Sequence, residues 1–292
     1  MRTPKNKSVF DLTSCLCLAA MAALAVPAAA EDAPRVAATI FPLYDIVREV
    51  GGTAVEAVVV LSPGASPHTF EMRPASAKAL ARAALLFRVG HGLDDWAVRL
   101  AEAAGVGRIV TADAGVRLRR FADGGVDPHY WLAGKNGKAI ARTVGEELAR
   151  LVPARRVEIE GRLAAYLVRL DTADAQVRRL LHDLPSRSIA TLHDGFGYFA
   201  DAYGLTVVAV FEASGGKEPG PRSVAEFERR VRAGNVRVIF AEPQISPDVI
   251  RSIARDLRVP IATLDDLGGV PGRDSYVALL LFDAQQVAAA LK

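Results

Sequence analysis

Cysteine is almost missing from this 292-residue chain: Cys15 and Cys17 are the only two, and both lie near the amino terminus. Past that point no thiol is available, so the body of the protein has neither disulfides nor thiolate ligands, and any metal must be held by nitrogen and oxygen. Charge of one sign is lacking too. Lys and Arg number 36 against 33 Asp and Glu, a formal +3, and Arg2, Lys5 and Lys7 against Asp11 account for +2 of it. The near-neutral remainder carries no basic field for nucleic acid. After the amino terminus no run approaches the ~18 apolar residues of a membrane-spanning helix. No H-E-x-x-H helix is present, which removes a common arrangement of zinc hydrolases. Histidine is scarce, with five in all.

The amino terminus itself reads as an export signal. Arg2, Lys5 and Lys7 form a positive start, Cys15 to Val26 an apolar stretch, and Ala28-Ala29-Ala30 an A-x-A site just before Glu31. Cleavage after Ala30 is expected, with a periplasmic destination. Lipidation at Cys15 is the rival, since Leu12-Thr13-Ser14-Cys15 is lipobox-like, but the apolar stretch then lies on the wrong side of the cysteine.

Strand and helix signals alternate through the rest. Buried-strand patterns occur at Val36–Ile40, Val55–Leu61, Leu85–Val89 and Arg108–Val110, then at Ser188–Leu192, Val207–Phe211, Val236–Phe240 and Ile261–Leu264. Helical patterns fall between them, at the stretch up to Gly51, Ala75–Ala84, Lys138–Leu151, Phe196–Tyr203, Ser223–Ala233, Pro247–Leu257 and Tyr276–Leu291. Glu212 to Arg222, rich in glycine and proline, reads as a mobile loop. From Pro153 to Leu184 apolar residues recur every three or four positions, bounded by Pro153 and Pro185, which predicts one helix on the order of 45 Å long. The expected fold class is α/β, with two lobes, each a mainly parallel sheet flanked by helices, joined by that rigid helix. The expected divisions are 1–30 signal, 31–152 first lobe, 153–185 linking helix and 186–292 second lobe.

Three of the five histidines stand at loops or element ends in three distant segments: His68 in Ser66-Pro67-His68-Thr69-Phe70, His129 in Asp127-Pro128-His129-Tyr130-Trp131 and His193 in Thr191-Leu192-His193-Asp194-Gly195. Asp265 follows the last strand. Ligands of open α/β sheets gather beyond the carboxyl ends of the strands, where His193 and Asp265 fall and where the loop of His68 begins. Three imidazoles and a carboxylate complete a tetrahedron for zinc. The spacings of 61, 64 and 72 residues mean that only tertiary folding brings the four together. Adjacent Asp266 and water compete with Asp265 for the fourth position. His91 reads as an ordinary loop residue and His182 as a solvated one. Asp194 has two readings, orienting His193 or capping the next helix. Glu242 follows a strand and has two readings, facing the cleft or stabilising its loop, of which the second is favoured. Because the imidazoles must be neutral to bind, affinity is expected to fall below about pH 6.5.

Ile40-Phe41-Pro42-Leu43-Tyr44-Asp45, Pro63 through Glu71, Asp127 through Leu132, His193 through Phe199, Phe240 through Gln244 and Leu264 through Gly268, in that order, resemble the metal-specific solute-binding proteins of ABC importers, the zinc- and manganese-binding group. The resemblance implies Zn²⁺ as the transported ligand, bound between the lobes by His68, His129, His193 and Asp265. It also implies delivery to a membrane permease driven by a cytoplasmic ATPase. A monomer is expected, and loading by a metallochaperone is compatible with the scheme. Manganese-type members resemble this chain but look to carry Glu where it has His193, which favours zinc and leaves a manganese receptor as the alternative and a zinc hydrolase as a remote one. Pro67 stands where some zinc members place a metal-approaching Glu, which leaves Asp265 the more necessary. Val116–Val126 holds Arg117, Arg119 and Arg120 and no histidine, where many zinc members carry a His- and acid-rich loop.

Overall fold

The computed structural model describes residues 33–212, 220–246 and 248–292. The export signal, both cysteines, most of the Glu212–Arg222 loop and Pro247 therefore lie outside the described residues. Eight strands form two four-stranded, wholly parallel sheets. The first comprises β1 (Arg35–Ala38), β2 (Glu56–Val59), β3 (Ala83–Arg88) and β4 (Arg108–Thr111), in the order β2-β1-β3-β4. The second comprises β5 (Ser188–His193), β6 (Thr206–Glu212), β7 (Ile239–Ala241) and β8 (Ile261–Thr263), in the order β6-β5-β7-β8. The two orders are the same pattern used twice, although no residue-level repeat is visible in the sequence. In each, the chain reverses direction across the sheet beside its first strand, which opens a crevice at the carboxyl ends of the central strands. The strands are short apolar runs because both faces are covered. Val36, Ala37, Ala38, Leu86 and Phe87 are fully buried, as are Ile189, Ala190 and Leu192.

Helices α1 (Phe41–Gly51), α2 (Pro74–Leu80), α3 (Trp96–Ala103) and α4 (Gly134–Leu151) belong to the first half, and α6 (Gly197–Tyr203), α7 (Pro221–Ala233), α8 (Asp248–Leu257) and α9 (Tyr276–Leu291) to the second, with α5 (Arg156–Leu180) between them. The Ala75–Ala84 helix of the sequence reading ends early, at Leu80. Arg82 takes a left-handed φ of 62°, and the chain passes directly into β3. Helix α3 has no counterpart in the expectations, since its buried face is built mainly of Ala97 and Ala101, which leave a weak apolar period.

The linking helix is shorter than expected. Pro153–Arg155 forms a separate 3-10 turn, and α5 stops at Leu180, where the guanidinium of Arg187 donates to the His182 carbonyl at 2.5 Å. Its 25 residues span about 38 Å. Rather than standing free, α5 packs on α1, α4 and α9 and buries Ile159, Tyr166, Leu170, Ala173 and Val177. Helix α9, capped by the Ser275 hydroxyl accepting from the Ala278 N–H at 3.1 Å, packs on α5 and α1. Its first residue, Tyr276, donates its backbone N–H to the buried Asp45 carboxylate of α1 at 2.8 Å.

Candidate metal centre

His68 sits on a 3-10 turn, Pro67–Thr69, after β2. Ser66 Oγ accepts its backbone N–H at 3.3 Å, and Trp96 Nε1 donates to the Pro67 carbonyl at 3.2 Å. Trp96 also stacks on Phe70, with ring centroids 3.6 Å apart, so α3 fixes the loop from beneath. His129 precedes the 3-10 turn Tyr130–Leu132. All three residues of that turn are buried, and Tyr130 Oη donates to the Val89 carbonyl at 3.1 Å. His193 is the last residue of β5. Gly195 must be glycine, because a Cβ there would stand 2.5 Å from His193 Nε2.

These three histidines converge. His129 Nε2 lies 3.3 Å from His68 Nε2 and 3.3 Å from His193 Nε2, and the ring centroids are 5.1–5.4 Å apart. Among the described residues they form the one group whose nitrogen or carboxylate atoms all lie within 4.8 Å of one another. Three imidazole nitrogens this close could hold one cation.

Two of the rings are held from behind by carboxylates. Asp127 Oδ1 accepts both the backbone N–H of His129, at 3.0 Å, and its Nδ1–H, at 2.9 Å. His193 Nδ1 lies 2.9 Å from Glu242 Oε1, off-axis for a hydrogen bond but close enough for a strong charge interaction. A carboxylate on Nδ1 fixes the tautomer and aims Nε2 at the metal position. The three rings differ electrostatically. Desolvation, then repulsion from His129 and His193, pushes the His68 pKa down to about 3. Burial lowers that of His129 against the pull of Asp127. At His193 burial opposes protonation, but Glu242, with Asp266 and Asp194 beyond it, outweighs it and raises the pKa to about 9.

The structure does not bring Asp265 together with the three histidines. Its Oδ1 accepts from the backbone N–H groups of Leu267 and Gly268, each at 3.0 Å, and from Gln244 Nε2 at 3.2 Å. Its Oδ2 lies 2.7 Å from Arg273 Nε. The carboxylate thus holds its own loop together and neutralises a cation. Asp266 lines a small cavity with His68, His193 and Glu242, and burial, with Glu242 and Asp265 nearby, raises its pKa to about 7.

Two expectations change. Glu242 supports His193 rather than stabilising a loop, and its place beyond β7, at the same sheet edge as His193, was the available signal. Asp194 caps nothing: the N-cap of α6 is Phe196, without a side-chain cap. Instead Asp194 lines a cavity of about 190 Å³ with His68, His129 and His193. His91 lines that cavity too, in a left-handed conformation (φ 56°), with Nε2 2.9 Å from Asp113 Oδ2. His182 is exposed beside Asp183, as expected.

The high-affinity zinc uptake system protein ZnuA of Haemophilus ducreyi is 26% identical over 259 residues, 79% of this chain and 84% of that protein. The manganese ABC transporter substrate-binding lipoprotein PsaA of Streptococcus pneumoniae is 25% identical over 278 residues, 89% of each chain. A crystal structure of ZnuA superimposes with a TM-score of 0.82 at 27% identity, covering 89% of this chain and all of the other. The family model described as zinc-uptake complex component A, periplasmic (ZnuA), matches residues 36–290, and the chain belongs to that family of metal-binding solute-binding proteins of ABC importers.

Proposed function

We propose that the protein is a periplasmic receptor that binds Zn²⁺ with high affinity and delivers it to the permease and ATPase of an ABC importer. It acts as a monomer after removal of residues 1–30, with lobes over 31–152 and 186–292 joined by 153–185. The observation that supports zinc is the meeting of three imidazole Nε2 atoms, two of them 3.3 Å from the third. Manganese, the harder ion, prefers oxygen donors, whereas imidazole suits zinc. His68, His129 and His193 are the protein donors. Asp265 serves as the fourth only by exchanging Arg273 for the ion; otherwise Asp266 or water takes that place. Binding rather than hydrolysis fits the site, because Glu242, the carboxylate nearest to His193, is committed to that ring instead of standing free as a base.

The test is metal content after purified protein is offered zinc and manganese together, repeated on His193→Glu. Zinc should load preferentially, and the substitution should shift the balance toward manganese. Preferential manganese loading of the unaltered protein, or a preference untouched by His193→Glu, would overturn the assignment.

A further inference from the structure

Residues 117–127 run as a small hairpin between β4 and His129, with Arg120 bridging Val126 and the Asp127 N–H donating to the Arg119 carbonyl at 3.0 Å. Arg119 leaves this hairpin of the first lobe and reaches α6 of the second. Its Nε donates to Asp201 Oδ2 at 2.7 Å, its backbone N–H donates to Tyr198 Oη at 2.7 Å, and its guanidinium carbon lies 5.5 Å from the Tyr198 ring centre. Tyr198 Oη in turn donates to the Asp127 carbonyl at 3.2 Å. The remaining contact faces the metal centre: Arg119 Nη1 donates to Asp127 Oδ2 at 2.7 Å. Asp127 is fully buried, and its other oxygen holds the backbone and Nδ1 of His129.

We infer that Arg119 is a positioning residue for metal binding, which ties the orientation of His129 to the closed arrangement of the two lobes. The inference rests on the metal-receptor reading above. Each oxygen of Asp127 has one task, and the charge-assisted bond from Arg119 keeps Oδ1 directed at His129. Without the guanidinium a fully buried carboxylate lacks its cation, and its turning away releases His129 Nδ1. Because the same guanidinium is fastened to Asp201 and the same backbone N–H to Tyr198, the lobes cannot part at this edge without disturbing Asp127. The fit is close. A Cβ at Gly197 would stand 1.6 Å from Arg119 Nη1, so even alanine there must expel the guanidinium.

The experiment is zinc dissociation into excess chelator, followed on the signal-free chain for the unaltered protein, Arg119→Ala, Arg119→Lys and Gly197→Ala, with the metal-free melting temperature of each. Loss of a carboxylate that supports a ligating histidine weakens metal binding about 10- to 100-fold. Arg119→Ala and Gly197→Ala should speed release by about that factor, and Arg119→Lys, which keeps a cation beside Asp127, should recover part of it. Release from folded Arg119→Ala at the unaltered rate, or a loss confined to metal-free stability, would overturn the inference. Were Arg119→Ala not to fold, Arg119→Lys and Gly197→Ala would decide it by the same readout. Failure of the unaltered protein to bind zinc would instead defeat the receptor reading.

Discussion

The unequal electrostatics of the three histidines make proton release on metal binding a measurable quantity. At pH 7 His68, with its pKa near 3, is already neutral, and burial keeps that of His129 below its ordinary value. His193, raised to about 9, is protonated. A metal ion must therefore displace a proton from His193 Nε2, while Nδ1 keeps the proton held beside Glu242. Below about 9 the protonated form dominates, so each unit of falling pH weakens apparent affinity about tenfold, because one proton competes for one donor. Between pH 8 and pH 6 that is about 100-fold, or ~2.7 kcal/mol. Three histidines of ordinary pKa would behave differently, with affinity level above about 6.5 and falling steeply below it, as the sequence alone suggests. The assay is competition against a chromophoric chelator across pH 6–8, with proton release counted by an indicator dye in weak buffer. Glu242→Gln removes the charge that holds the His193 proton, and should flatten the profile and reduce the count toward zero at pH 7.5. A level affinity from pH 8 to pH 6, with no proton released by the unaltered protein, would refute this account.

Two further outcomes follow from the same geometry. Asp266→Asn should weaken zinc binding about tenfold or more, whereas Asp265→Asn should chiefly loosen its loop and lower the melting temperature, since Asp265 accepts from Leu267, Gly268 and Gln244. Titration calorimetry beside thermal melting separates them, and the reverse ranking would restore Asp265 as the fourth donor. Gly137→Ala places a Cβ 2.5 Å from the ring and hydroxyl of Tyr276 and should cost about 1–3 kcal/mol, read as a lower denaturant midpoint; an unchanged midpoint would mean that α4 and α9 part easily.

Strand existence and order of chemistry were legible because parallel strands write themselves as short apolar runs, and all eight occur within a few residues of their expected places. The convergence of His68, His129 and His193 was legible because element end and residue type coincided there. What stayed hidden depends on tertiary partners. Arg273 lies eight residues after Asp265 in a glycine-rich loop, and nothing local shows that it turns back to neutralise that carboxylate. The same holds for Arg119, which reads as one of three arginines in a segment without histidine until Asp127, Tyr198 and Asp201 are placed around it. Helix length failed at α5 because the apolar period continues through Leu181 and Leu184 while the helix has already ended at Leu180. Periodicity registers which faces are buried, and burial here outlasts the helix.

The two halves are joined by ties of unequal cost, which bears on where the cleft can open. One tie is buried throughout. Asp45 accepts the Tyr276 N–H at 2.8 Å, Tyr276 Oη donates to the Trp131 carbonyl, and Trp131 Nε1 donates to the Asp266 carbonyl at 2.6 Å. Asp45, Trp131 and Tyr276 are completely shielded from solvent and Asp266 nearly so. Parting these groups leaves unmatched donors and acceptors in a dry interior, at about 1–3 kcal/mol each. The other tie runs through Arg119 to Asp201, whose side chains are 32% and 65% exposed, and water replaces a pair of that kind at about 0–1 kcal/mol. The same edge also carries the Tyr198 Oη bond to the Asp127 carbonyl, at 3.2 Å between buried residues, so opening there costs little for the ion pair but about 1–3 kcal/mol for that bond.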